Sequence, residues 1–270
     1  MKVFDFNIHL PDLANDGVKS RVHTEMIASH QDLILRAEKD YPLDKIDGGN
    51  FMIFNPTFYR EADKFNKYIN DKLYYSSYTL LIDFRDPNVY EDIEFGIKAG
   101  INCIKFHSYH QQIAKKNYPK IIEICKFAEE RNLIICLDAS YGTRNMIKYD
   151  IIDFICSVAN EIHNTPLIAL HSGGLKCLEI MLLALDKKNV WVEMSASLPI
   201  YMDSSIETDL AFMYKKIDPK KILWATDAPY FPFEMMMDTT EKFLSKHGFS
   251  ESFKEDVFFN NAMNILNNRP

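Results

Sequence analysis

Side chains capable of acid–base or ligand chemistry stand at the ends of five short apolar runs. Asn7 and His9 lie in "FDFNIH", Lys105 and His107 in "INCIKFH", Asp138 in "LIICLDAS", His171 in "PLIALHSG" and Asp227 in "ILWATDAP". Residues two apart in a strand share a face, so Asn7 points with His9 and Lys105 with His107. Imidazole and carboxylate are the ligands that suit zinc and related divalent ions. His9, His171, Asp138 and Asp227 suffice for a mononuclear site. Such a metal would bring the pKa of its water to about 7. Asp227 is then the candidate general base, taking the proton of that water and returning it to a leaving group. Lys105 or His107 could orient a substrate carboxylate or stabilise an oxyanion.

Each residue also has a plainer reading. A histidine at a strand end is commonly a satisfied polar group, Asp227 before Ala228 and Pro229 suits a turn, Asp138 suits a cap, and Lys105 could snorkel. These readings would have to coincide on five separate strands.

The elements that must position these groups follow from the pattern. Eight short apolar runs, 2–9, 50–56, 78–84, 101–107, 133–140, 166–173, 190–197 and 222–229, alternate with amphipathic stretches. In "YPKIIEICKFAEERN" the apolar residues Ile121, Ile122, Ile124, Cys125 and Ala128 form one stripe, as a surface helix requires. "VYEDIEFGIKAG" reads as a helix closed by Gly100. Strands alternating with helices predict a parallel sheet. Eight such units in 270 residues predict a (β/α)8 TIM barrel as a single domain over 1–270, since such barrels take about 250 residues. A doubly wound sheet is the competing fold, and it would want a Gly-rich turn after the first strand where "HLPDLANDG" stands. Residues 10–49 form a long first connection with a helical core at 24–41. The segment 240–268 reads as helical and packed beneath the barrel. In a barrel, the C-terminal strand ends meet on one rim, where the active sites of this fold sit.

Composition narrows the partners. The formal net charge of -7 argues against nucleic acid and anionic membranes, which reward basic patches. No apolar run approaches the roughly 20 residues of a membrane span. The cysteines, Cys103, Cys125, Cys136, Cys156 and Cys177, form no C-x-x-C pair and read as buried reduced thiols of a cytoplasmic protein. A small-molecule substrate is the expected partner, and the fold allows a homodimer.

"FDFNIH" resembles the first-strand H-x-H motif of the amidohydrolase superfamily. "GINCIKFHSYHQ", "ALHSGG", "VWVEMSAS" and "ILWATDAPYF" are similar to the fourth, sixth, seventh and eighth strand motifs of its amidohydrolase-related branch, and "FFNNAMNIL" to that branch's closing helix. The resemblance covers nearly the whole chain in the expected order. It implies a metal-dependent (β/α)8 hydrolase, some members being decarboxylases or hydratases of small carboxylated substrates. The ligands it implies fall on Asn7, His9, Asp138, His171 and Asp227. Asn7 and Asp138 stand where the family has histidine.

The expectation is therefore a hydrolase of a small amide, ester or lactone, with a mononuclear metal, zinc for preference, and Asp227 as general base. His171, His107 and Lys105 assist, while His107, Tyr109, His110 and Asn7 meet the substrate. The alternatives are a metal-free hydrolase or lyase, decarboxylase-like, and a barrel that binds a ligand without catalysis. Phe231, Phe233, Met235, Met236 and Met237 could form an apolar pocket wall, though such residues more often bury themselves or serve an oligomer contact.

Overall fold

A computed structural model describes residues 1–9, 41–53, 69–140 and 147–267. The expected helical core at 24–41 lies outside the described residues except for Tyr41. All eight expected strands are present as one parallel sheet in sequential order. They are β1 (Phe4–His9), β2 (Gly48–Ile53), β3 (Tyr75–Leu81), β4 (Cys103–Phe106), β5 (Ile134–Asp138), β6 (Leu167–Leu170), β7 (Val190–Glu193) and β8 (Ile222–Leu223). Backbone bonds carry β8 back onto β1: Phe6 N donates to Trp224 O at 3.1 Å, Asp227 N to Asn7 O at 2.9 Å and His9 N to Ala228 O at 2.7 Å. The chain therefore folds as a (β/α)8 TIM barrel.

Of the helices between and after the strands, six matter here. They are α1 (Val89–Lys98), α2 (Tyr118–Glu129), α3 (Ile151–Ala159), α4 (Cys177–Asp186), α5 (Ser205–Lys216) and α6 (Phe233–Lys246). In α2 the buried residues Tyr118, Ile121, Ile124, Cys125 and Ala128 repeat at helical spacing, and Ile122 is only half-buried. After α1, Gly100 takes φ +94, a left-handed conformation that glycine adopts at no steric cost.

Two apolar layers hold the barrel. Inside it, Phe4, Phe6, Met52, Cys103, Ile134, Cys136, Ile168, Leu170 and Leu223 form one cluster with Ala262 and Ile265. Those last two lie on the closing helix Asn261–Asn267, which plugs the N-terminal end as expected. Asn261 Nδ2 fixes it by donating to Ile222 O at 2.8 Å. The second, larger layer packs the helices on the strands' outer faces. Burial on both faces explains why the strands read as continuous apolar runs.

The expected strand 222–229 is only two residues long. Beyond Leu223 the chain still runs beside β1, through Asp227 N to Asn7 O and His9 N to Ala228 O, with Asp227 at φ +61. For the apolar residues at 231–237, burial rather than a pocket wall is the outcome at two positions. Phe233 to Met237 lie within α6, where Phe233 and Met236 are buried. The Phe233 ring packs on Trp224, with centroids 5.8 Å apart. Its burial against the barrel wall makes it a core residue.

Candidate active site

The strand ends do converge. Asp227 Oδ1 lies 3.1 Å from His9 Nε2 and accepts from Asn7 Nδ2 at 3.2 Å. Asn7 and His9 thus reach one oxygen, as their spacing predicts. Asp138 Oδ2 lies 3.2 Å from His107 Nε2 and 3.3 Å from His171 Nε2. Asp138 Oδ1 accepts from Ser140 N at 3.1 Å and Ser140 Oγ at 2.5 Å. Lys105 is 1% exposed, and its charge acts on His9, His107, Asp138 and Asp227. Above these groups, the His107 ring packs on Tyr109 at 4.4 Å and on His110 at 5.3 Å, while His9 packs on Tyr230 at 5.4 Å.

The local backbone is built for this. After β6 the chain turns through four residues of positive φ, His171 (+61), Ser172 (+54), Gly173 (+85) and Gly174 (+52). A Cβ on Gly173 would lie 2.6 Å from Ile180 Cγ1, so the motif needs glycine there for conformation and for space. Ser172 Oγ donates to Glu193 O at 2.7 Å and meets Tyr214 Oη at 2.8 Å.

Three buried polar groups beside the rim were not among the expected site residues. Glu193, fully buried at the end of β7, accepts from His171 N at 3.3 Å and from Ser195 Oγ at 2.8 Å. Ser195 Oγ in turn faces His171 Nδ1 at 2.9 Å. The signal was available, because Glu193 and Ser195 end an apolar run in the same way as the other rim residues.

The third group is Asp5. Its Oδ1 accepts from Asn7 N at 3.1 Å and Thr226 N at 3.0 Å. Its Oδ2 accepts from Thr226 Oγ1 at 2.5 Å and Tyr41 Oη at 2.6 Å. Thr226 Oγ1 also accepts from Ala228 N at 3.0 Å. Asp5 therefore holds both flanks of Asp227. The β1–β2 register shifts between Asp5 and Ile8, and Asp5 serves the closing seam while Asn7 and His9 serve the rim.

Charge states follow from these contacts. Burial would raise the Asp227 pKa, but His171, the His9 hydrogen bond and Lys105 outweigh it and hold the carboxyl below its usual range. Asp138 behaves alike: burial opposes its charge, and His107, His171 and Lys105 prevail. Burial disfavours charge on His171 too, yet Asp227, Asp138 and Glu193 raise it to about 9. His107 goes the other way, to about 3, because burial dominates over Asp138. Burial and Lys105 likewise lower His9. At neutral pH the site holds two carboxylates, an imidazolium at His171, and neutral His9 and His107. Burial raises Asp5 to about 7 against its hydrogen bonds.

A cavity of about 390 Å³ lined by Tyr90, Phe95, Phe127 and Arg131 lies between α1 and α2, apart from this chemistry.

A closed parallel barrel of eight strands with acids, histidines and a lysine on its C-terminal rim is a TIM barrel with a polar rim site. The amidohydrolase family model matches residues 86–267, and the chain belongs to that family. Similar solved structures include an uncharacterised TIM-barrel protein from Bordetella bronchiseptica, 14% identical, TM-score 0.70, covering 99% of each chain. A probable 2-pyrone-4,6-dicarboxylic acid hydrolase from Acinetobacter baumannii, solved with citric acid bound, is 13% identical, TM-score 0.66, covering 99% of this chain and 100% of its own. 2,6-Dihydroxybenzoate decarboxylase from Rhizobium is 10% identical, TM-score 0.65, covering 99% of each chain. A comparison with curated protein sequences finds no match.

The amidohydrolase family generally uses a divalent metal. The ligands expected for one here, His9, His171, Asp138 and Asp227, divide into separate carboxylate–imidazole sets. Among the described residues, no three His, Cys, Asp or Glu side chains are grouped so that they could hold a metal ion. Asn7 turns its amide N–H toward Asp227. His171 has both ring nitrogens against acceptors, Ser195 Oγ and Asp138 Oδ2, so it carries two protons and offers no lone pair. This donor set does not fit the four-ligand centre expected from the sequence. Fixed cations, Lys105 and the His171 imidazolium, stand beside both carboxylates instead.

Proposed function

We propose that the protein is a hydrolase of a small amide, ester or lactone, with Asp227 as general base acting directly on water. The observation that carries this reading is the state of Asp227. It stands 8% exposed at the rim, fixed by His9 and Asn7 on the same oxygen, and His171, His9 and Lys105 favour its charged form. Asp227 takes a proton from water as the water attacks the substrate carbonyl, and returns it to the leaving group. Lys105 and the His171 imidazolium stabilise the oxyanion that forms, acting as preorganised charges in a water-poor site. Neutral His107, with Tyr109 and His110 packed on it, and Asn7 meet the rest of the substrate. Asn7 Oδ1 and His107 Nδ1 are buried acceptors with no protein hydrogen-bond partner, which suits them to hydroxyl or amide donors of a ligand.

Decarboxylation is the second reading, favoured by the structural similarity to 2,6-dihydroxybenzoate decarboxylase. There the two cations would hold the departing carboxylate. A panel of esters, lactones, amides and hydroxybenzoates, assayed with and without a chelator, tests both. Chelator-insensitive hydrolysis that Asp227→Asn abolishes is the expected result. Carbon dioxide release selects the second reading. Chelator-sensitive turnover restored by zinc reinstates the metal-dependent mechanism.

A further inference from the structure

We propose that Gln111 is a positioning residue of the site, a buried carboxamide that sets the place of His107 and of the turn that meets the substrate. This rests on the reading of His107, Tyr109 and His110 as substrate contacts. Gln111 is 7% exposed and lies in the turn after β4. Its side chain makes two hydrogen bonds. Gln111 Oε1 accepts from His107 N at 2.8 Å, and Gln111 Nε2 donates to Ile82 O at 2.5 Å.

Those two partners follow the ends of neighbouring strands. The pairing of β3 with β4 runs from Thr79↔Cys103 to Leu81↔Lys105, and Ile82 N donates to Lys105 O at 3.0 Å. The next evenly spaced rung of a parallel ladder would take His107 N to Ile82 O. The Gln111 carboxamide stands in that rung instead. It offers one acceptor and one donor, as a peptide group does. Both backbone groups therefore stay satisfied while the strands part at the rim. On its other side, His107 has Nε2 at 3.2 Å from Asp138 Oδ2 on β5.

The grip is two-sided. Gln111 N donates to His107 O at 2.9 Å, so one residue holds both backbone polar groups of His107. Tyr109 and His110 lie between the two, with their rings on His107 at 4.4 and 5.3 Å. Arg85 closes the turn from outside by donating to Gln111 O. With Nε2 against Asp138, His107 leaves Nδ1 for a ligand donor, buried and without a partner among the described residues. Gln111 thus sets where that acceptor stands. Misplacing it should weaken binding, because His107 meets the substrate and Asp227 does the proton transfer.

Nitrogen NMR of the histidine rings in the full chain at neutral pH tests the proposal, with His107 assigned by its loss in His107→Gln. The native protein should carry the His107 proton on Nε2 alone. Its His107 amide should exchange slowly with solvent, like the ladder amide of Ile82; this needs no variant and decides if none folds. Gln111→Met fills the space without the bonds, and Gln111→Glu keeps the shape but cannot donate to Ile82 O. In both, the His107 signals should move toward shared protonation of the two ring nitrogens, with an unchanged circular dichroism spectrum. On whichever ester, lactone, amide or hydroxybenzoate is turned over, both should raise KM about tenfold or more with kcat changed much less, the pattern of lost uniform binding. Asp227→Asn on the same substrate keeps the two readings apart. If turnover survives it, the hydrolase reading fails and the His107 spectrum still decides for Gln111. Native His107 signals in either variant, a His107 amide that exchanges like an open loop, or an unaltered KM overturns the proposal.

Discussion

His107 and His171 share one oxygen of Asp138, at 3.2 and 3.3 Å, and their proton affinities shift in opposite directions. His171 also faces Ser195 Oγ and, through it, Glu193, so three acidic groups favour its proton. His107 has a buried Nδ1 with no protein partner and stays neutral. One carboxylate thus fixes a cation on one side and an uncharged donor on the other. The fifth-strand aspartate is the hub of this site, where the family resemblance placed a metal ligand.

The raised pKa of His171 predicts a pH signature. Its folded value, about 9, exceeds the unfolded 6.5. The stabilisation it brings is complete below about pH 6.5 and disappears as the pH rises through about 9. The shift corresponds to at most about 3 kcal/mol. Urea unfolding of the protein and of His171→Gln at pH 6.5 and pH 10 should show the difference between the two shrinking by that order. A pH-independent difference would contradict the charge assignment.

Removing the proposed base gives the most direct kinetic test. Asp227→Asn keeps the shape and the hydrogen bond to His9 but cannot accept a proton. Turnover should fall by about 10²- to 10⁴-fold, the usual contribution of a positioned acid–base group, with KM changed much less. Equal turnover in the two proteins would remove Asp227 from the mechanism.

Asp5 should act on turnover from a distance. Thr226→Val removes the hydroxyl that joins Asp5 Oδ2 to Ala228 N. Leaving those buried partners unpaired costs about 1–3 kcal/mol of stability. With Asp227 less firmly held, kcat should drop by roughly tenfold or more, as small misplacements of catalytic groups do, while KM holds. Thr226→Ser, which restores the hydroxyl, should recover most of the loss. A stability change with unaltered kcat would reduce Asp5 to a fold determinant.

The turn after β6 carries its own prediction. Gly173→Ala places a methyl group 2.6 Å from Ile180 Cγ1 at φ +85. Strain at positive φ costs about 1–2 kcal/mol and overpacking about 1–3 kcal/mol. Chemical denaturation should register a loss of roughly 2–5 kcal/mol by adding the two. A loss below about 0.5 kcal/mol, the range of ordinary surface changes, would show that the turn relaxes freely.

The barrel was legible because its strands are buried on both faces and its helices on one. "LIICLDAS" and "YPKIIEICKFAEE" therefore carry different periods, and eight alternations leave few folds. The rim residues were legible for the related reason that polar groups interrupt apolar runs at their C-terminal ends. Pairing was not. Whether Asp138 joins His107, His171 or a cation depends on strand stagger and side-chain rotamers, which leave no local trace. The same holds for Asp5, whose partners Tyr41 and Thr226 are distant in the chain, and for β8, which reads as eight residues but stops at Leu223. The helix that begins at Phe233 was missed because apolar residues of a surface helix and of a pocket wall look alike.

The carboxylate of Asp5 ties the last seam of the barrel to the residues on either side of Asp227. Closure of the cylinder and the attitude of the base are thereby one event. With Asp227 as the proposed base, any slackening at that joint, by heat, denaturant or inherited change, should silence turnover before the remaining strands part. The protein should lose activity at a lower denaturant concentration than it loses its helices, and a purifying pressure on residue 5 would then guard turnover as much as shape.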